Sequence, residues 1–251
     1  MTTANQSRQV LYGDPEHGGL RVAVLAVLMI SLLVAFVLVR FALQQLAAGS
    51  ALLDFAFVLS CGAAVPIALG VTWLAETVMK RVWPSGERVV VDERGVHHTF
   101  KLEDNEKEEV TQSVLWSSRI NVTRWTFRLR GYPRAGRERR VPDKWLCLAC
   151  ELQQDDTRLI FYTYMPPEPA ETYMTRQPAQ DGYQQISLAT LYSEAGARRW
   201  EGTTRPDIPS QMLAGPNGRF WLAERRRWLA GVELTPTDFA TLMDAANSHT
   251  L

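Results

Sequence analysis

Apolar residues run without a charged interruption from Val22 to Val39, between Arg21 and Arg40, and again from Phe55 to Ala75. Each run reaches or closely approaches the ~20 residues that a helix needs to cross the hydrocarbon core of a bilayer. Inside lipid the backbone must satisfy its own hydrogen bonds, so the pattern predicts a transmembrane helical hairpin over residues 21–80. After Pro84-Ser85-Gly86 the period changes from a continuous run to alternation. Strands are expected at Arg88–Asp92 and Val96–Leu102 around a tight Glu93-Arg94-Gly95 turn, then at Val114–Trp116 and Ile120–Arg130. Lys144–Leu152 and Thr157–Met165 form a further hairpin around Gln153–Asp156. In the Ile120–Arg130 strand Trp125, Phe127 and Leu129 point inward and the arginines outward. Glu103–Glu109 is expected to be a solvated acidic loop.

Helical spacing returns later. Leu188, Leu191, Tyr192 and Ala195 share one face. Thr235 as N-cap, Pro236 at the first helical position and Asp238 in the first turn open a C-terminal helix over 235–247. Between these lies an irregular insertion, about 175–230. Residues 1–20, with Gly13, Pro15, Gly18 and Gly19, are expected to form a flexible N-terminal tail. The sequence therefore divides into a tail (1–20), a membrane hairpin (21–80) and a β-rich domain (84–251).

Charge adds the topology. Net charge is zero, but residues 1–79 hold only Arg8, Arg21 and Arg40 against four acids, and the other 24 basic and 23 acidic residues follow the hairpin. Arg21, Lys80, Arg81 and Arg88 flank the apolar runs while the connecting loop lacks Lys and Arg, so both termini are expected in the cytoplasm; the expected location is the cell (inner) membrane. The first run is longer than the core of a signal peptide, so it is expected to stay as an anchor. Three cysteines form no disulfide framework, in keeping with a reduced compartment. Gly62, Pro66 and Gly70 recur every four residues along the second run, as a dimerisation seam or as the packing face toward the first helix. No ionisable residue lies at mid-membrane, so no ion pathway is visible.

The order of two N-terminal membrane helices, the strand Val-Val-Val-Asp-Glu-Arg-Gly-Val (89–96) and the segment Val-Leu-Trp-Ser-Ser-Arg-Ile-Asn-Val (114–122) resembles the bacterial membrane-anchored pleckstrin-homology-like proteins. The resemblance covers about residues 20–170. It implies an α+β membrane protein with a cytoplasmic PH-like antiparallel β-barrel or sandwich and a C-terminal helix, without catalytic residues. The Glu93–Gly95 turn is too short and too weakly basic for the phosphoinositide loop of eukaryotic relatives, so that ligand is not implied.

Candidate chemistry is sparse. Cys147 and Cys150 form a Cys-x-x-Cys, but three-apart residues on a strand face opposite ways and can neither share a metal nor bond to each other. His97 and His98, adjacent on a strand, diverge in the same way. No cofactor or metal site results, and no nucleophile elbow or phosphate loop is present. The functional signal is electrostatic: Arg124, Arg128, Arg130, Arg134, Arg137, Arg139 and Arg140 crowd one stretch, and Trp221, Arg225, Arg226, Arg227 and Trp228 a second. Both compositions suit an anionic lipid headgroup layer or a protein partner, including self-association. The near-neutral domain argues against nucleic acid. The leading expectation is a membrane-anchored scaffold whose non-catalytic domain binds a protein partner or the anionic membrane surface. The alternatives are a membrane-bound enzyme with an unrecognised active site, and an accessory subunit of a larger membrane complex.

Overall fold

The structure, a computed structural model, describes residues 8–14, 17–46, 54–83, 85–102, 105–134, 136–177, 182–194 and 205–249. The chain forms two compact units. One is Pro15–Ser85; the other joins Met1–Asp14 to Gly86–Leu251.

The first unit is a pair of helices, α1 (Gly18–Leu46) and α2 (Ala56–Val82), both long and apolar enough to cross a membrane. Leu25, Ile30, Leu33 and Leu38 on α1 and Phe57, Val58, Leu69 and Leu74 on α2 are exposed. The side chains that α2 buries are small and four apart: Ser60, Ala64, Ala68 and Thr72. Short side chains at this spacing let two helices approach closely. The hydroxyls of Ser60 and Thr72 donate to the carbonyls of Ala56 (2.6 Å) and Ala68 (2.7 Å), so neither polar group is stranded. The Gly62-Pro66-Gly70 stripe is not this seam. It lies two positions away and outward, and a Cβ at Gly62 or Gly70 would meet nothing within 4 Å. Glu76 and Lys80 pair at 2.8 Å, as their spacing requires.

The second unit begins before the helices. Gln9–Tyr12, placed by sequence in a flexible tail, forms β1 and pairs antiparallel with β2 (Arg88–Val91), Gln9 opposite Val91 and Tyr12 opposite Arg88. Leu11 is buried in the core. The residues that follow β1 are also tied down: the Gly13 amide donates to the Glu87 carbonyl (3.1 Å) and the Asp14 amide to that of Glu233 (2.9 Å). Any side chain at Gly13 would strike Val232. Four residues between Arg8 and Gly13 carry too short a pattern to read as a strand when their partner lies beyond the whole helical pair, Gln9 opposite Val91.

β3 (Gly95–Leu102) and β4 (Asn105–Leu115) complete the first sheet, in the order β1-β2-β3-β4. The β2–β3 turn closes because the Asp92 carboxylate accepts the amides of Arg94 (2.8 Å) and Gly95 (3.1 Å). Asn105–Glu109 belongs to β4 instead of a loop, paired through Lys101 with Glu109; Glu103 and Asp104 lie outside the described residues. The second sheet is the antiparallel meander β5 (Asn121–Arg128), β6 (Leu146–Gln154) and β7 (Thr157–Met165), edged by two-residue parallel strands β8 (Gln184–Gln185) and β9 (Val232–Glu233).

Two cores result. The inner one joins Val89, Val96 and Val114 of the first sheet to Leu148, Cys150 and Phe161 of the second, closed by Phe239, Leu242 and Met243 of α7 (Pro236–His249). Thr235 caps α7, accepting the Asp238 amide at 3.2 Å. The outer core covers the other face of the second sheet. Trp125, Phe127, Cys147 and Tyr162 meet Leu188 and Leu191 of α4 (Leu188–Glu194) and Phe220 and Trp221 of α6 (Gly218–Ala230). The stretch expected to be an irregular insertion is therefore the layer that buries this face. It also contains the end of α3 (Pro167–Arg176) and the short α5 (Ser210–Ala214). Burial on both faces explains why β6 reads as a nearly unbroken apolar run. Cys147 and Cys150 fall in different cores, as the strand geometry requires. The architecture is α+β: two long apolar helices and two sheets.

Candidate functional site

The α6 corner concentrates the polar groups of the second unit. Its inward face carries Phe220, Trp221 and Ala223, but also Glu224 and Arg227, both buried. Charges are stable there only if paired and fully hydrogen-bonded. Arg227 Nε and Nη2 donate to Glu224 at 2.8 and 2.9 Å, and Nη2 also to Glu138 at 2.8 Å. Arg205 bridges the same two carboxylates, reaching Glu138 at 3.1 Å and Glu224 by a shorter contact. Trp125 Nε1 donates to Glu224 (2.8 Å), and the Tyr132 hydroxyl to Glu138 (3.1 Å). Two arginines thus face two glutamates, and the square pins the β5–β6 loop and the Arg205 segment to one helix. Arg227 further lies over the rings of Tyr162 (4.6 Å) and Phe127 (5.1 Å). Burial alone would raise the Glu224 carboxyl; Arg227 and Arg205 outweigh it and hold it below the ordinary range.

The arginines singled out by sequence are not one surface. Arg124 is buried and donates to Asn247 Oδ1 at 2.6 Å, which corrects the expected outward direction. Its partner is the end of α7, an element far away in sequence. Arg134 is spent on the backbone of its own loop, donating to the carbonyls of Glu138 (2.8 Å) and Val141, and Arg139 donates to that of Arg134 (2.8 Å). Arg128, Arg130, Arg139 and Arg140 are exposed; the side chain of Arg137 lies outside the described residues. In the second cluster Trp221 is core, Arg226 makes a two-bond pair with Glu151 (2.7 and 2.9 Å), and Arg227 is the hub of the buried square. Trp228 is half-buried under the Arg205 guanidinium (4.3 Å), and Arg225 remains exposed. Sequence analysis assigned no role to Glu138, Arg205 or Glu224. The i,i+3 spacing of Glu224 and Arg227 was the available signal.

Beside this square a groove of about 720 Å³ opens between the first sheet, β7 and the C-terminal end of α6. Ile160, Tyr162 and Tyr164 line it, with Arg158, Trp228 and Leu229. Its size falls within the range of ligand pockets. His98 also lines it; it is 8% exposed, stacks on Phe100 at 5.1 Å, and its Nε2 has no partner among the described residues. His97 diverges from it, toward Ser113 Oγ (2.8 Å). Among the described residues no group of three or more His, Cys, Asp or Glu is placed to hold a metal.

Burial pushes the His98 imidazole down to about 4. The unfolded chain, with the ordinary value of about 6.5, therefore binds a proton that the folded chain refuses. Stability is complete above pH ~6.5 and falls as pH drops toward 4, with a slope approaching ~1.4 kcal/mol per pH unit. His98→Phe, which keeps the stack on Phe100, is expected to flatten that part of the profile when melting temperature is followed against pH.

Compared with protein-family models, curated proteins and solved structures, the chain matches none.

Proposed function

We propose that the chain is a membrane-anchored, non-catalytic binding protein. Its helical hairpin holds a PH-like domain at the cytoplasmic face of the cell (inner) membrane, and the α6 corner is the surface that meets a partner or the lipid. The observation that carries this reading is the exposure of large apolar side chains along both α1 and α2, from Leu25 to Leu38 and from Phe57 to Leu74. Apolar surface of that extent is stable only when lipid or protein covers it. The pairing of β1 with β2 adds a topological argument. A chain that makes one sheet from residues on both sides of the hairpin keeps both of those residues on one side of a bilayer, so it crosses an even number of times. The PH-like reading is supported by the strand order: four antiparallel strands in chain order with the helical hairpin between β1 and β2, a three-strand meander and a closing C-terminal helix, with β8, β9 and α4–α6 as additions.

Alkaline extraction of membranes from expressing cells, followed by protease added to either side of the sealed membrane, tests the reading. The chain is expected in the membrane pellet, with tags at both ends cut only from the cytoplasmic side. Release by alkali, or ends cut from opposite sides, would overturn it.

A further inference from the structure

The outward face of α6 has a composition of its own. Leu229 is 73% exposed, the highest value for a large apolar side chain among the described residues of the second unit, and Leu222 is 39% exposed. Arg225 lies between them at i+3 from Leu222, and Arg219 lies one turn earlier. Residues at these spacings share one helical face. The Arg225 side chain is 57% exposed and pairs at 3.7 Å with Asp207, which is itself almost fully in water. The acidic residue of α6, Glu224, points the other way into the buried square. Leu213 of α5 is also 37% exposed.

We infer that this face, Arg219, Leu222, Arg225 and Leu229, rests on the anionic headgroup layer of the bilayer, with the two leucines at the acyl boundary. The inference rests on the anchoring proposed above. With leucines and arginines side by side on an exposed helix, apolar burial and attraction to anionic lipid add, the two terms that set the binding strength of interfacial helices. A bilayer is favoured over a protein because of size and reach. α6 has 13 residues, a face only ~20 Å long, and a stable protein interface buries about 800 Å² on each partner. A tethered surface needs less. Only residues 83–87 separate α2 from β2, at most ~18 Å of extended chain, so weak contacts act at high effective concentration.

The test uses the full chain carrying Cys61→Ser and Leu229→Cys, with a nitroxide at position 229, in phosphatidylcholine discs with and without phosphatidylglycerol. Cys147 and Cys150 are buried and stay unlabelled. With anionic lipid, the nitroxide is expected to become accessible to oxygen and shielded from a water-soluble nickel relaxant. Arg219→Ser and Arg225→Ser should each lower the docked-to-free ratio about fivefold, the equivalent of ~1 kcal/mol per basic residue, and high salt should act in the same direction. A label that stays in water on anionic discs overturns the inference, as does docking that ignores both arginine substitutions and salt. A photo-crosslinker at position 229 that captures protein instead of lipid in cells also overturns it. Retention of the chain in the discs after an alkaline wash reads the anchor separately: a retained chain with an exposed label fails the docking alone.

Discussion

Residues 86–251 produced without the N-terminal segment are expected not to form a cooperative fold, whereas residues 8–14 joined to Gly86 by a short Gly-Ser loop should restore one. Deleting β1 uncovers the whole outer edge of β2 and removes Leu11 from the inner core, where Val89, Val91 and Val232 are also buried. Leu11→Ala alone should cost about 2–5 kcal/mol, a large share of the 5–15 kcal/mol that ordinarily separates folded from unfolded states. A strand lost entirely costs more, because its ladder partners on β2 then lack mates. The loop in the joined version can be short, since the Gly13 amide already touches the Glu87 carbonyl and Asp14 reaches Glu233. Near-ultraviolet dichroism and a thermal scan of both versions check this. A sharp melt of 86–251 alone would show that β1 is dispensable. Gly13→Val should weaken the joined version as well, because its side chain would occupy the place of Val232.

The same strand shows where sequence reading succeeds and where it stops. Elements with long local periodicity were legible. These are the two apolar helices, the β2–β3 hairpin with its Asp92 turn, the β6–β7 hairpin and α7 with its Thr235 cap. Each of these patterns is complete within its own stretch of sequence, so the element can be named before its packing partner is known. β1 was not legible because its one buried side chain, Leu11, finds its core only through a partner beyond the hairpin. α6 was not legible as a helix because its inward face mixes Phe220 and Trp221 with Glu224 and Arg227, so the apolar stripe is broken by charges. Those charges are neutralised by Glu138 and Arg205, which lie on other segments. Composition likewise exposed an excess of arginine but could not divide it. Arg124 and Arg227 turn inward to partners distant in sequence, while Arg219 and Arg225 stay in water.

Arg227→Met is expected to be the most damaging single change in the α6 corner, at about 3–5 kcal/mol. The side chain is of similar length and would still lie against Phe127 and Tyr162, so little packing is lost. What is lost is the cation between two carboxylates that cannot reach water: Glu138 and Glu224 side chains are each only 2% exposed. Arg205 remains, but one guanidinium would then face two buried negative charges. Glu224→Leu alone inverts the problem and strands two arginines on Glu138. The double change Glu224→Leu with Arg227→Met removes one charge of each sign and leaves Arg205 facing Glu138. It is therefore expected to cost clearly less than the sum of the two single changes, the non-additivity of groups that share one network. The acid limb carries the same signature. The folded Glu224 carboxyl lies below its unfolded value, so its contribution is complete above the ordinary carboxylate range and is lost as pH falls through the folded value. Without Arg227 the balance between burial and attraction shifts toward burial, the carboxyl rises, and unfolding begins at higher pH. Calorimetric melting of the full chain in lipid discs across the acid range, for wild type, both single variants and the double, measures both effects. Additive losses with an unmoved acid limb would mean that the four charges act independently.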